Sequence, residues 1–423
     1  MNEVIDEYIE AHSEELLQLG DELFHNPELG FREFRTVEII RKFLAAHHLK
    51  IERETSITGF TVSIGEGKPH IGLIAELDAI PTRGHPCADP VTTAAHACGH
   101  STQVAIMLGV MAALNDRTDL PNGKVTLYFT PAEEFTDMEY RKSLAAEGRI
   151  RYCSGKQNML AEGVFEDADC LIHIHAMANP DYRLSIGSVL SGFVYKKITF
   201  LGRASHAAAL PDQGINALHA CTLFINAVNM LRESFRDQDV VRVHGIIQNG
   251  GNTVNSIPDK VVYECYVRAA DPDVVIDVNH KVSCAAEHCA KAIGADVRIE
   301  DTPGYLPLHQ DEKLNETAYA NMLRYVKPEE ILHGEISAAA GDVGDLSMFR
   351  PLIQIGYGGF SGRIHGADLM IKDPQEIYLL QAKIVGAIVL DLLNHPEKAE
   401  AIRQSFVPKM TMEEYLCYLN GRK

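Results

Sequence analysis

A chain of 423 residues with 46% hydrophobic content predicts about two domains, with ample apolar material for their cores. Its formal charge of -19, from 39 Lys and Arg against 58 Asp and Glu, argues against nucleic acid or anionic membrane as partner and points to small molecules. No stretch approaches ~18 consecutive apolar residues, the start Met1-Asn-Glu-Val-Ile-Asp-Glu7 is acidic rather than a basic leader, and nine cysteines without paired spacing fit reduced thiols, so a cytoplasmic chain is expected.

Residues 4–25 carry apolar positions at helical spacing (Val4, Ile5, Tyr8, Ile9, then Leu16, Leu17, Leu19 and Leu23), and the run stops at Asn26-Pro27. A second helix is expected from about 36 to 48, after the loop Pro27-Glu-Leu-Gly-Phe31, with Ile39, Ile40, Phe43 and Leu44 inward. Residues 59–64 alternate like an edge strand. Ile71-Gly-Leu-Ile-Ala75 is continuously apolar, like a strand buried on both faces, and delivers Glu76 and Asp78 at its end before Pro81.

Thr93-Ala-Ala-His-Ala-Cys-Gly-His-Ser-Thr102 then places two imidazoles and a thiol within five residues, ahead of an amphipathic helix at 104–114. His96 and His100 are four apart, but Gly99 and the capping pair Ser101-Thr102 put the helix start after His100 and make the cluster a strand-to-helix turn. Such turns lie at the carboxyl edge of open α/β sheets, where a thiolate and an imidazole suit zinc or a similar divalent ion.

Lys124-Val-Thr-Leu-Tyr-Phe-Thr130 is another buried strand and runs into Pro131-Ala-Glu-Glu134. The charged connection at 135–166 yields only some helix and a loop. Cys170-Leu-Ile-His-Ile-His175 is a strand ending in histidine, and Pro351-Leu-Ile-Gln-Ile355 repeats the pattern before a glycine-rich turn and Arg363-Ile-His365. Singly, a strand-end carboxylate is commonly a solvated loop residue and a strand-end histidine a satisfied polar tip. Jointly, Asp78, Glu134, His175 and His365 with Cys98 and His100 give one sheet edge the mixture of donors that divalent metals require. From about 191 to 302 the order becomes strand, helix, strand, strand, helix, strand, which reads as a ferredoxin-like domain inserted into the first. The expected boundaries are 1–190 with 305–423 for a discontinuous catalytic domain, and 191–304 for the insert.

In order along the chain, Asn26-Pro-Glu-Leu-Gly30, Glu76-Leu-Asp-Ala-Ile-Pro81, His96-Ala-Cys-Gly-His100, Pro131-Ala-Glu-Glu134, Gly202-Arg-Ala-Ser-His206, Asn255-Ser-Ile-Pro258 and His365 resemble the amidohydrolase branch of the aminoacylase and glutamate-carboxypeptidase-like metallopeptidases. That branch holds hippurate hydrolase, auxin-conjugate hydrolases and aminobenzoyl-glutamate hydrolase. The resemblance implies a zinc-peptidase-like α/β fold, an open mixed sheet flanked by helices with an inserted ferredoxin-like dimerisation domain. It also implies two divalent ions per chain, zinc or manganese, with Cys98 in the bridging place and His100, Glu134, His175 and His365 as the other ligands. Glu133 would be the general base of a metal-activated water that cleaves the amide bond of an N-acyl or aroyl amino acid, and Asp78 a carboxylate behind the ligands. In the family a histidine of the smaller domain reaches the partner's site across a homodimer, and His206 occupies that place; Asn255 and Arg268 stand where substrate is contacted. Ser101 stands where many relatives have aspartate, the connection after Glu134 is long, and Ala338-Ala-Ala-Gly-Asp342-Val-Gly-Asp345 looks like the variant of aminobenzoyl-glutamate-type relatives.

A dipeptidase of the same family remains an alternative. So does a non-catalytic metal-binding protein on this fold. A thiol hydrolase, with Cys98 as nucleophile and His96 or His100 as base, leaves Glu133, Glu134, His175 and His365 without work. His85, His96 and His173 are expected to be structural.

Overall fold

The computed structural model describes residues 3–177 and 179–421, so Met1 and Asn2 of the acidic start lie outside it. The chain divides into two compact units, the first holding residues up to Ser188, His309–Ile336 and Asp345–Thr411, the second Val189–Leu308, Ser337–Gly344 and the residues from Met412 onward. The short segments after 337 and 412 thus leave the unit that the sequence pattern assigns them to. Their contacts decide the matter: the Ser191 N–H, for example, donates to the carbonyls of Ser337 at 3.2 Å and Ala339 at 2.9 Å.

In chain order the first unit starts with helices α1 (Glu3–Ala11), α2 (Ser13–Phe24) and α3 (Phe34–Ala46). Strands β1 (Ile51–Glu54), β2 (Phe60–Glu66) and β3 (His70–Glu76) follow, then α4 (His100–Asn115), β4 (Gly123–Thr130), α5 (Met138–Ala146), α6 (Gly155–Ala161), β5 (Cys170–Ala176) and β6 (Leu184–Ile186). The second unit supplies β7 (Gly192–Leu201), α7 (Ala217–Leu231), β8 (Arg242–Asn249), β9 (Lys260–Ala269), α8 (Pro272–Ile293) and β10 (Asp296–Pro303). The chain then returns to the first with α9 (Glu312–Met322), β11 (Ile331–His333), β12 (Leu352–Tyr357) and α10 (Gln381–Asn394).

Eight strands form the main sheet in the order β1-β2-β4-β3-β5-β12-β6-β11. The four at its centre, β4, β3, β5 and β12, run parallel, with Glu76 beside Thr130 and His175 beside Gly356. Parallel strands covered by helices on both faces must be apolar throughout, and β3 is buried at every residue. Their carboxyl ends therefore open on one edge, which is where the polar residues gather. Strand β2 is not the sheet edge; the short, largely exposed β1 lies outside it. The first helical run breaks at His12, whose ring bonds the Tyr8 carbonyl at 2.9 Å. Helix α4 starts at His100 itself, with Gly99 before it at φ 82°, and is buried from His100 to Leu114 rather than amphipathic. The Thr102 hydroxyl does not cap it, since it donates to the Gly99 carbonyl at 2.6 Å.

In the second unit the sheet runs β8-β9-β7-β10, antiparallel throughout, which is the 4-1-3-2 order of a ferredoxin-like βαββαβ unit. Strand β9 alternates buried and half-exposed residues, as a sheet covered on one face requires. Helices α7 and α8 cover that face through Ala220, Phe224, Val278 and Val282. Asp271 caps α8 through the Asp273 and Val274 N–H groups, Pro272 opens it, and Gly294 at φ 77° ends it. Among the described residues no helix is long and apolar enough to cross a membrane.

Candidate metal centre

The site grows from the turn Pro131-Ala-Glu-Glu134 at the end of β4. Ala132 sits at φ 54°, a conformation that a non-glycine residue holds only when its surroundings over-determine it. Here the determinants are buried carboxylates: the Ala132 N–H donates to Glu33 at 2.9 Å, and those of Glu133 and Glu134 to the two oxygens of Asp78 at 3.0 and 2.9 Å. The Asp78 main-chain oxygen also holds His100 Nδ1 at 2.9 Å, which turns Nε2 the other way. His100 Nδ1 is thus held by Asp78 and not by the residue at 101; Ser101 is buried and its hydroxyl makes no hydrogen bond.

Gly99 lets the cluster close. A Cβ there would lie 2.5 Å from the Ala176 side chain, and the φ of 82° disfavours any other residue, so α4 can start directly against the end of β5. Cys98 Sγ consequently lies 3.5 Å from His175 Nε2 and 3.3 Å from His365 Nε2. His365 Nε2 lies 3.2 Å from Glu134 Oε1, and the His365 N–H donates to the Ala97 carbonyl at 2.7 Å, which docks its loop on the cysteine turn. His100 Nε2 faces Glu76 Oε2 at 3.1 Å and Glu133 Oε2 at 3.9 Å.

Donor atoms within 4.8 Å of one another form the groups Cys98–His100–His175, Cys98–Glu134–His365 and His100–Glu133–Glu134. All five expected ligands are therefore together, and Cys98 belongs to two of the groups. His100 Nε2 and Glu134 Oε1 are buried without a hydrogen bond, a cost that a cation between them would remove. Burial and the anionic Glu134 and Glu133 push the Cys98 thiol well above its usual range. Against its burial, the Cys98, Glu76 and Asp78 groups push His100 well up. Sulfur, imidazole and carboxylate donors in this mixture fit a divalent cation. Burial, with His100 and His173 adding to it, pushes His175 down to about 4, which keeps its imidazole neutral and able to donate a lone pair.

Glu76, a strand-end carboxylate to which the sequence assigns no role, is held by Lys156 at 2.7 Å, Gln103 at 2.8 Å and His173 Nε2 at 3.3 Å. Burial alone would raise its pKa, but Lys156, His173 and His100 keep it well below the carboxylate range. Glu33 is likewise missed. Nothing local marks it, since its contact with Ala132 spans 99 residues of sequence. His85 pairs with the Leu369 carbonyl at 2.7 Å and the Cys87 N–H at 3.1 Å. His96 is buried with neither ring nitrogen hydrogen-bonded, and burial pushes it down to about 3.

The remaining candidates lie in the second unit. His206 is exposed; its Nδ1 accepts the Ala209 N–H at 3.1 Å and its Nε2 meets the Asn255 amide at 3.3 Å, so these two residues are brought together. Arg268 has separate partners, the rings of Phe193 and Tyr266 at 5.2 and 5.1 Å and the Ala338 carbonyl at 3.0 Å.

Residues 72–389 match peptidase family M20/M25/M40. The chain is 28% identical over 337 residues to an N-acetyl-L-cysteine deacetylase of Bacillus subtilis, covering 76% of each chain. It is 26% identical over 444 residues to an Xaa-Arg dipeptidase of Mus musculus, covering 97% of this chain and 93% of the other. The fold is similar to the crystal structure of a Bacillus subtilis protein described as a dinuclear metal-binding peptidase of family M20, with a TM-score of 0.71 and 21% identity over 91% of this chain and 99% of that one.

Proposed function

Because the chain belongs to peptidase family M20/M25/M40, a family of metallohydrolases, we propose that it hydrolyses the amide bond of N-acyl or aroyl amino acids at a two-ion centre. The observation that carries this reading is the membership of Cys98 in two ligand groups at once, Cys98–His100–His175 and Cys98–Glu134–His365. The ions, zinc or manganese, would supply an acidified water and positive charge at the substrate carbonyl. Glu133 takes the proton of the attacking water and passes it to the leaving amine; Asp78 fixes its peptide N–H, and the Glu133 carboxylate lies in one group with His100 and Glu134. Asp78 orients His100, Glu133 and Glu134 together. His206, with Asn255 beside it, polarises the scissile carbonyl of the substrate held in the partner chain's site of a homodimer, and Asn255 and Arg268 contact substrate. A cytoplasmic location fits this chemistry.

The likeness to a deacetylase supports an N-acyl substrate. Cleavage of dipeptides is the second reading, favoured by the match to an Xaa-Arg dipeptidase along 97% of the chain. A screen of N-acyl amino acids, aminobenzoyl-glutamate and dipeptides with protein loaded with manganese or zinc decides between them. Turnover of an N-acyl class that vanishes with a chelator and returns with metal is the expected result. Turnover of dipeptides alone would move the assignment to the second reading, and turnover that survives metal removal but not cysteine alkylation would replace it by thiol chemistry.

A further inference from the structure

The charged connection between Glu134 and α6 contains a buried arginine. Arg141, on α5, is only 1% exposed, and every acceptor found for its guanidinium is a main-chain carbonyl. Nη1 donates to Ala132 at 3.3 Å and to Cys153 at 2.5 Å, and Nη2 donates to Glu134. The first and last of these flank Glu133; Cys153 lies where the connection ends. One planar fork therefore ties both mouths of the connection together and grips the catalytic turn on its carbonyl side, while Glu33 and Asp78 hold its N–H side.

The helix that carries Arg141 is itself docked. Arg32 pairs with Asp137 at 2.9 Å and lies 3.8 Å over the Tyr140 ring, and Leu144 and Ile150 pack with Phe31 and Ala132. Gly30 leaves the room the guanidinium needs, since a Cβ there would come 2.8 Å from Arg141 Nη2 and from Ala132. A lysine could not do the same, because an ammonium is a point donor without the span of the fork.

We propose that Arg141 is a positioning residue for the turn carrying Glu133 and Glu134, and that residues 135–154 form the strap that delivers it. The inference rests on the reading of Glu133 as base and Glu134 as ligand. Without the guanidinium the carbonyls of Ala132 and Glu134 lose a buried partner, the two peptide planes rotate, and both carboxylates leave their working positions.

The test compares Arg141→Lys, Arg141→Ala and Ile402→Ala with the full-length protein. Arg141→Lys is expected to lose about tenfold or more in kcat with KM within about twofold, since misplacement of a reacting group acts on the chemical step. Its retention of zinc against a competing chelator should fall by about tenfold as Glu134 loosens. Ile402→Ala removes a buried apolar side chain outside the strap and the turn; its Tm should fall while kcat and zinc retention stay at the wild-type level. Millimolar methylguanidinium should restore part of the loss in Arg141→Ala. Wild-type kcat and zinc retention in Arg141→Lys would overturn the proposal, as would equal losses in Ile402→Ala or an absence of rescue in a folded Arg141→Ala. If Arg141→Ala does not fold, the lysine and Ile402 variants decide. If the wild-type protein cleaves none of the conjugates, the functional reading fails on its own and zinc retention still reports on Arg141.

Discussion

The Asp78 carboxylate accepts the main-chain N–H of Glu134 at 2.9 Å, and through its other oxygen that of Glu133 at 3.0 Å. Its own main-chain oxygen holds His100 Nδ1 at 2.9 Å. One buried residue thus sets a proposed base, two proposed ligands and the direction of an imidazole lone pair, without entering any ligand group that contains Cys98. Asparagine has the same shape but offers one acceptor and a competing donor. Asp78→Asn should therefore weaken metal binding by about 10–100-fold and reduce activity in proportion. Titration of the metal-free variant checks this, and an unchanged dissociation constant would reduce Asp78 to a turn residue.

Glu133 and Glu134 are neighbours with separate tasks. Glu133→Gln keeps the shape and the N–H bond to Asp78 while removing a proton acceptor, so it should keep the full metal complement and lose activity by about a hundredfold or more. Glu134→Gln removes a charge that faces His365 at 3.2 Å and should lose metal first. Elemental analysis beside single-turnover rates separates the two. Equal metal loss in both would merge their roles.

Glu33 gives the fold a pH dependence of its own. Burial first, then the neighbouring Asp78, pushes its carboxyl up to about 7 from an ordinary 4.5. The folded chain therefore keeps this proton where the unfolded chain has released it. Its stabilising share is present in full below 4.5 and is lost as pH rises through about 7, at about 1.4 kcal/mol per unit in between. Glu33→Gln preserves the shape and cannot titrate, so the urea midpoint of the wild type should fall relative to that of the variant between pH 5 and 7.5. Parallel profiles would mean that Glu33 is ionised throughout.

The strands that build the site were legible because burial on both faces removes alternation: 71–75, 124–130 and 170–175 could hardly be anything else, and the candidate ligands follow at their ends. What supports those ligands was not legible. Glu33 meets Ala132 across 99 residues of sequence and Lys156 meets Glu76 across 80, and each looks locally like a solvated charge. Arg141 lies within Met138-Glu-Tyr-Arg-Lys, where every neighbour argues for a wet helix face. Only long-range packing reveals that these charges are buried. The start of α4 was misplaced for a related reason, since Ser101 and Thr102 have the composition of a cap while Thr102 donates back to Gly99.

His206 separates a shared site from a private one. It lies in the second unit, exposed and beside Asn255, and no metal donor group includes it among the described residues. If the chain is a homodimer in which His206 serves the partner, a His206→Ala chain has intact metals but withholds its histidine from its neighbour. A Glu133→Gln chain lacks the base but still lends its histidine. Each homodimer is then inactive, yet a mixed dimer contains one site with both Glu133 and the partner's intact histidine. Subunit exchange between the two variants should restore activity, up to about half that of the wild type per mixed dimer, since one of its two sites is whole. Exchange verified by mass spectrometry without any return of activity would place His206 in the service of its own chain or outside catalysis.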